Sequence, residues 1–333
     1  MRRSALFLLL AFLPSISACS PQKTSEQRSS STKIVFATDW RAQAEQGGFY
    51  QALATGEYAR RGLDVTILQG GPAVNVPQLL AAGSVDMGMG SNSFIVLNLA
   101  AAKAPVKVVA AYMQKDPQVL LAHEGQGIRS LADMKGRPIL LADASVTAFW
   151  VWLKAKYGFT DDQVRKYTFN PAPFISNPRA IQQGYVTSEP YTIEKASGEK
   201  PSVFLLADEG YPGYAAMALV RESLIASNPS AVRAFVEASS AGWTSYLNGE
   251  PAPGDAQILK DNPEMTADLL AEGRKKMKTY GIVQPADGSV PVPGMMTDAR
   301  WETFFRMASE QGVYAKDLDY KRAYTLEFLS SGK

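Results

Sequence analysis

From Lys33 onward, short apolar runs alternate with segments of helical period, and this alternation constrains the fold more than any other feature of the sequence. Lys33–Ala37 (KIVFA), Leu63–Leu68 (LDVTIL), Asp86–Gly90 (DMGMG) and Val106–Tyr112 read as strands. Between them, Gly48–Arg60, Val74–Ala82 and the alanine-rich Asn92–Lys103 read as helices. Strands separated by helices at this spacing pair mostly in parallel and are covered by those helices, an α/β architecture.

A second series follows. Gln118–His123, Ile139–Ala142, Lys166–Phe169, Gly184–Thr187 and Val203–Ala207 read as strands, with a helix over Val146–Tyr157. Tyr214–Val220 reads as a strand that returns to the first unit. The remainder is helical: Ser230–Leu247, Pro263–Tyr280, Thr297–Glu310 and Tyr320–Leu329, with a Pro/Gly-rich surface loop at Gln284–Gly294. Two Rossmann-like α/β lobes are therefore expected, the first from 33–114 with 214–333 and the second from 115–213. The chain crosses between them near Gln114–Gln118 and Gly210–Tyr214. Two crossings restrict relative motion to opening and closing, and the cleft between such lobes is a natural ligand site.

The N-terminus carries a different signal. Met1-Arg2-Arg3 precedes an apolar run from Ala5 to Leu13 and then Ile16-Ser17-Ala18-Cys19. A basic start, a short apolar core and small residues before a cut site describe a secretory signal over 1–18. That run is too short to span a bilayer. Ile-Ser-Ala-Cys resembles the bacterial lipobox, and Cys19 is the only cysteine of the chain, which marks it for lipidation. Polar residues 19–32 read as a flexible tether. The protein is then expected in the periplasm or at the cell surface, held to a bacterial membrane by lipid alone.

Charge and residue counts exclude several classes of function. The formal charge is only +2, and loss of Arg2 and Arg3 leaves the mature chain neutral, unlike a nucleic-acid binder. One cysteine and one histidine rule out an intrachain disulfide, a cysteine zinc cluster and a two-histidine metal site. His123 lies on a strand beside a crossing with no partner in view, so neither catalysis nor a cofactor is expected.

Several runs resemble one family. They are Thr38-Asp39-Trp40 with Gly47-Gly48-Phe49-Tyr50-Gln51-Ala52, Tyr58 to Val65 (YARRGLDV), Gly83 to Gly88 (GSVDMG) and Gly184 to Tyr191 (GYVTSEPY). Together they are similar to the NMT1/THI5-like solute-binding proteins, over about Lys33 to Leu247. The resemblance implies a type II periplasmic-binding-protein fold and a monomer that delivers a small-molecule ligand to the permease and ATPase subunits of an ABC importer. Family ligands include nitrate, sulfonates, taurine and thiamine-precursor pyrimidines. The opening resembles the pyrimidine binders, whose pattern is roughly DWxPNxxHxGxY; Asp39, Trp40, Gly48 and Tyr50 match, while Gln43 and Gln46 stand where that pattern has Asn and His. The fungal pyrimidine synthase of the same superfamily uses a His at the position of Gln46 and a Cys-rich motif, which this chain lacks.

Candidate ligand residues follow from position. Trp40, just after the first strand, faces the crevice of an open sheet and offers a stacking surface, or else packs under a loop. Gln43 and Tyr50 stand close by. Ser91 and Asn92 occupy a glycine-bordered strand-to-helix turn that lacks a dinucleotide fingerprint, where they either meet a polar ligand group or simply cap the helix. Ser145 and Thr147 hold the equivalent turn of the second lobe; most of the aromatics that follow it, Phe149, Trp150 and Trp152, read as core. Tyr185 lies on the second lobe's later strand and Glu189 follows it at a helix start, where its carboxylate either complements the helix dipole or accepts hydrogen bonds from a ligand's amino group or ring N–H, and Tyr214 lies at a crossing. A carboxylate in a closed cleft penalises an anion unless a cation offsets it, and Arg41 is the one cation near this set. A flat amino-heterocycle is therefore expected over sulfonate, taurine or nitrate.

Overall fold

The computed structural model describes residues 31–329. The expected signal peptide and Cys19 lie outside this range, as does most of the expected tether.

Chain order begins β1 (Thr32–Ala37), α1 (Gly47–Ala54), α2 (Glu57–Arg60), β2 (Leu63–Leu68), α3 (Val76–Ala81), β3 (Met87–Gly90), α4 (Ser93–Ala101) and β4 (Val106–Met113). It continues with β5 (Gln118–Ala122), β6 (Ile139–Leu141), α5 (Asp143–Val146), α6 (Phe149–Tyr157), β7 (Val164–Lys166), α7 (Ala172–Ile175), β8 (Ile181–Tyr185), α8 (Glu189–Ser197) and β9 (Ser202–Leu205). The return comprises β10 (Ala215–Arg221), α9 (Glu222–Ser227), α10 (Pro229–Asn248), α11 (Ala252–Asp261), α12 (Ala267–Thr279) and α13 (Asp298–Glu310).

Two five-stranded sheets result, ordered β2-β1-β3-β10-β4 and β7-β6-β8-β5-β9. β1 pairs in parallel with β2 and β3, and β6 in parallel with β7 and β8. One strand in each sheet runs against the rest: β10 against β3 and β4, β5 against β8 and β9. These are the strands that follow the two crossings, so each crossing enters the other lobe as an antiparallel insertion. This is the two-lobe, two-crossing α/β fold that the alternation implies.

The glycine pair ahead of Phe49 has a packing role. A Cβ on Gly48 would stand 2.2 Å from the Trp243 ring, and one on Gly242 would stand 2.2 Å from the Gly48 carbonyl oxygen. α1 and α10 thus touch backbone to backbone, closing a core of Phe36, Phe49, Tyr58, Phe235 and Trp243. Trp150 and Trp152 are core residues of the second lobe, at 0% and 3% exposure. Phe304 of α13 packs in that same cluster.

Three expected helices differ. Gly48–Arg60 breaks at Gly56, whose φ of 76° is left-handed, leaving α1 and α2. Val146–Tyr157 is interrupted at Ala148, between α5 and α6. Tyr320–Leu329 coils only over Tyr320–Ala323; beyond it Tyr324 pairs with Val108 and the Thr325 N–H donates to the Val108 carbonyl at 2.9 Å. β4 is a sheet edge with unpaired backbone groups, and satisfying them outweighs the local helical period. Among the described residues no helix is long and apolar enough to cross a membrane.

Candidate functional site

In an open α/β sheet, ligands bind beyond the carboxyl ends of the strands where the strand order reverses. That point lies between β1 and β3 in one sheet and between β6 and β8 in the other. The loops leaving β1 and β8 meet there.

After β1, the Thr38 hydroxyl donates to the Trp40 carbonyl at 2.7 Å and accepts the Gly70 N–H at 3.0 Å, which fixes the turn. Asp39 receives the Gln46 amide Nε2 at 3.4 Å. Burial pushes the Asp39 carboxyl from 3.8 up to about 6, against the lowering effect of its hydrogen bonds. Glu45 is 2% exposed and accepts a hydrogen bond from the Thr187 hydroxyl of the second lobe. Burial raises Glu45 to about 7; the Thr187 bond opposes this, and the charges of Glu189 and Asp39 add to it.

After β8, Glu189 opens α8. Its carboxylate accepts the Tyr185 N–H at 2.7 Å and the Ser188 hydroxyl at 2.6 Å. A Cβ on Gly184 would lie 2.6 Å from the Cβ of Glu189, so glycine is what seats this carboxylate against the strand end. Burial raises its pKa. On the first crossing, Asp116 is buried and accepts the Gln118 N–H at 3.1 Å. Burial lifts Asp116 to about 7, opposed by that bond and by the charge of Arg300. The half-buried Tyr185 is central to this group. Its phenol is held well above its ordinary range by burial first, then by Asp116, Asp39, Glu45 and Glu189.

Three aromatic rings close one side. The rings of Trp40 and Phe169 lie 4.7 Å apart and those of Phe169 and Tyr167 5.2 Å apart. Phe169 is 45% exposed and has a φ of 62°, a left-handed conformation that costs a bulky residue energy.

The structure thus brings Trp40, Tyr185 and Glu189 together. Gln43 precedes the turn Ala44–Gln46, half-buried, and makes no capping bond. The other candidates make different contacts, although the turns of Ser91–Asn92 and Ser145–Thr147 leave the carboxyl ends of β3 and β6 at the same two switch points. Tyr50 has no exposed surface and belongs to the first lobe's core, because the helix turn that carries it faces inward. The Asn92 side-chain Oδ1 is spent capping α4, accepting the Phe94 and Ile95 N–H groups at 3.0 and 3.3 Å, with Ser91 half-buried beside it. Ser145 is 6% exposed in α5, and Thr147 is exposed, its hydroxyl turned back to the Ala144 carbonyl at 3.4 Å. Tyr214 lies at the second crossing: its hydroxyl accepts the Thr297 N–H at 3.1 Å and its ring lies 4.2 Å under the Arg300 guanidinium. His123 stacks on Phe174 at 4.1 Å and its Nε2 lies 2.9 Å from the Phe174 carbonyl, a packing role. Arg41 points outward to the exposed Glu264.

Glu45, Asp116, Tyr167 and Phe169 join the group without being among the residues expected from the sequence. Two carboxyls on either side of one tryptophan in sequence (Asp39 and Glu45 around Trp40) were the available signal. Two surface depressions, about 580 Å³ beside α10 and about 360 Å³ at the amino ends of β6 and β8, lie away from this cluster and have no aromatic lining.

The fold and the interlobe cluster define a class. The aliphatic sulphonate-binding protein SsuA of Escherichia coli superposes with a TM-score of 0.66 at 14% identity, covering 87% of this chain and 91% of that one, which shows a periplasmic-binding-protein fold. Residues 43–252, more than half of the chain, match the NMT1/THI5 like family, and the chain belongs to it. The riboflavin-binding protein RibY of Chloroflexus aurantiacus is 24% identical over 293 residues, 85% of this chain and 82% of that protein. A Candida albicans 4-amino-5-hydroxymethyl-2-methylpyrimidine phosphate synthase is 27% identical over 270 residues, 75% and 78% of the two chains.

Proposed function

We propose that this chain is the extracytoplasmic solute-binding subunit of an ABC importer and that it takes a small flat heterocycle, such as a thiamine-precursor pyrimidine or a flavin, between its lobes. The carrying observation is the cluster itself, with Trp40 set against Phe169 across the cleft and four carboxyls around Tyr185. Family membership and a relative named for riboflavin binding support the reading. In the same proposal, Cys19 carries the lipid anchor, residues 33–114 with 214–333 and residues 115–213 move as the two lobes, and a permease and ATPase are the partners.

A sulfonate, taurine or nitrate ligand would require a cation facing the site, and Arg41 is turned to Glu264 at the surface. Calorimetric titration of the purified protein against riboflavin, the hydroxymethyl pyrimidine, taurine and nitrate tests the proposal. A ring compound should bind and change the emission of Trp40, since Trp150, Trp152, Trp243 and Trp301 are all buried. Binding of taurine or nitrate with no response to rings would reject it.

The fungal synthase names favour a second reading, an enzyme making a pyrimidine. Gln46 stands where the resemblance places His, and the sole cysteine is Cys19. Mass spectrometry showing a bound ring converted to product would establish that reading.

A further inference from the structure

The carboxyl cluster is divided between parts of the molecule that move against each other in a hinged binding protein. Asp39 and Glu45 come from the first lobe, Tyr185 and Glu189 from the second, and Asp116 from the first crossing. The Thr187–Glu45 hydrogen bond and the Trp40–Phe169 contact join the two sides, so the described conformation is closed. Closure therefore sets Glu45 beside Glu189, and like charges brought together out of water repel strongly.

The neighbouring cations are engaged elsewhere. Arg41 pairs with Glu264 at the surface, and Lys115, next to Asp116, pairs with Asp208 at 2.5 Å. Arg300, whose charge reaches Asp116, gives its N–H groups to the carbonyls of Gln114, Pro212 and Gly213. A further observation points to a missing donor. Gln46 is 2% exposed, its Nε2 is directed at Asp39, and its Oε1 has no hydrogen-bond partner. The open groups at this point are acceptors.

Resting on the binding role above, we propose that these carboxyls form a charge latch: the lobes close only when the cluster is neutralised, by protons in the empty protein and by a cationic, N–H-rich flat solute in the loaded one. The raised carboxyls of Asp39, Glu45 and Asp116 fit such a latch, since protonation near neutral pH is the alternative to a bound cation. Entry of a cation then expels protons into the solvent, with no other co-reactant.

X-ray scattering from the empty protein at pH 5.5 and 8.5 tests the latch without any ligand. The expected result is a smaller radius of gyration at pH 5.5 and loss of most of that difference in Glu45→Gln; Glu189→Gln serves as the independent second variant. An unchanged radius across pH, or a full pH response retained in both variants, overturns the latch. Solute charge is tested with 4-amino-5-hydroxymethyl-2-methylpyrimidine and its 5-aminomethyl counterpart, which differ in the charge of one arm. At pH 8.5 the aminomethyl compound should bind at least about tenfold tighter, and near pH 6, where the empty cluster still holds protons, its calorimetric heat should depend on the buffer's ionisation enthalpy. Equal or reversed affinities overturn the cationic solute and leave the heterocycle reading intact. Capture of taurine or nitrate in place of rings overturns the heterocycle reading itself.

Discussion

Asp39, Glu45 and Asp116 show how burial of a single side chain becomes a property of the whole protein. Their carboxyls are raised in the native state to about 6, 7 and 7, above the values near 4 of an unfolded chain. The native state therefore holds more protons than the unfolded state between about pH 4 and 7, and stability falls as pH rises through that window. The contribution is complete below the unfolded values and is lost above the folded ones. Glu57 and Asp133, held below their ordinary range, act in more acid solution and do not offset it. Urea midpoints of the ligand-free protein should decline from pH 5 to pH 8, and the decline should be shallower in Glu45→Gln and Asp116→Asn. At this scale the sequence showed Trp40, Tyr185 and Glu189, because strand ends and helix starts are marked by local pattern. Glu45 and Asp116 were not legible, since their environment is made by residues such as Thr187 and Arg300, more than a hundred positions away.

Helices and crossings carry their own tests. Gly242→Ala places a methyl group against the Gly48 backbone, which cannot yield as a flexible side chain would. Overpacking of this kind costs about 1–3 kcal/mol, and urea unfolding of the variant should show a loss of that order. Arg300 of α13 holds both crossings at once, donating to the Pro212 and Gly213 carbonyls at 3.0 Å and to the Gln114 carbonyl. Arg300→Gln removes these bonds, and hydrogen exchange should quicken at residues 114–118 and 212–215 while the sheet interiors stay protected. The strands and their alternation with helices were readable because burial imposes its period directly on the residues. The conversion of Tyr320–Leu329 from helix to edge pairing was not, since the free backbone of β4 is supplied by another part of the chain.

For the whole molecule, the proposed anchor and the proposed jaw are separable. Cys19→Ala should release the protein from the membrane fraction of a lipoprotein-processing host and abolish incorporation of labelled fatty acid. Calorimetric affinity for the ring ligand should be unchanged, because residues 31–329 contain the cleft. Retention of the variant in membranes would reject the anchor and leave the binding role standing.

The order of short apolar runs and helical segments determined by itself that there would be two sheets covered by helices and crossed twice by the chain, since each run must bury its own face whatever lies far away; that half of the strand pairings are antiparallel came only with the fold. The meeting of four acids from separate segments around one tyrosine was decided only in three dimensions. Like charges have no local signature, and their cost arises when folding removes them from water together.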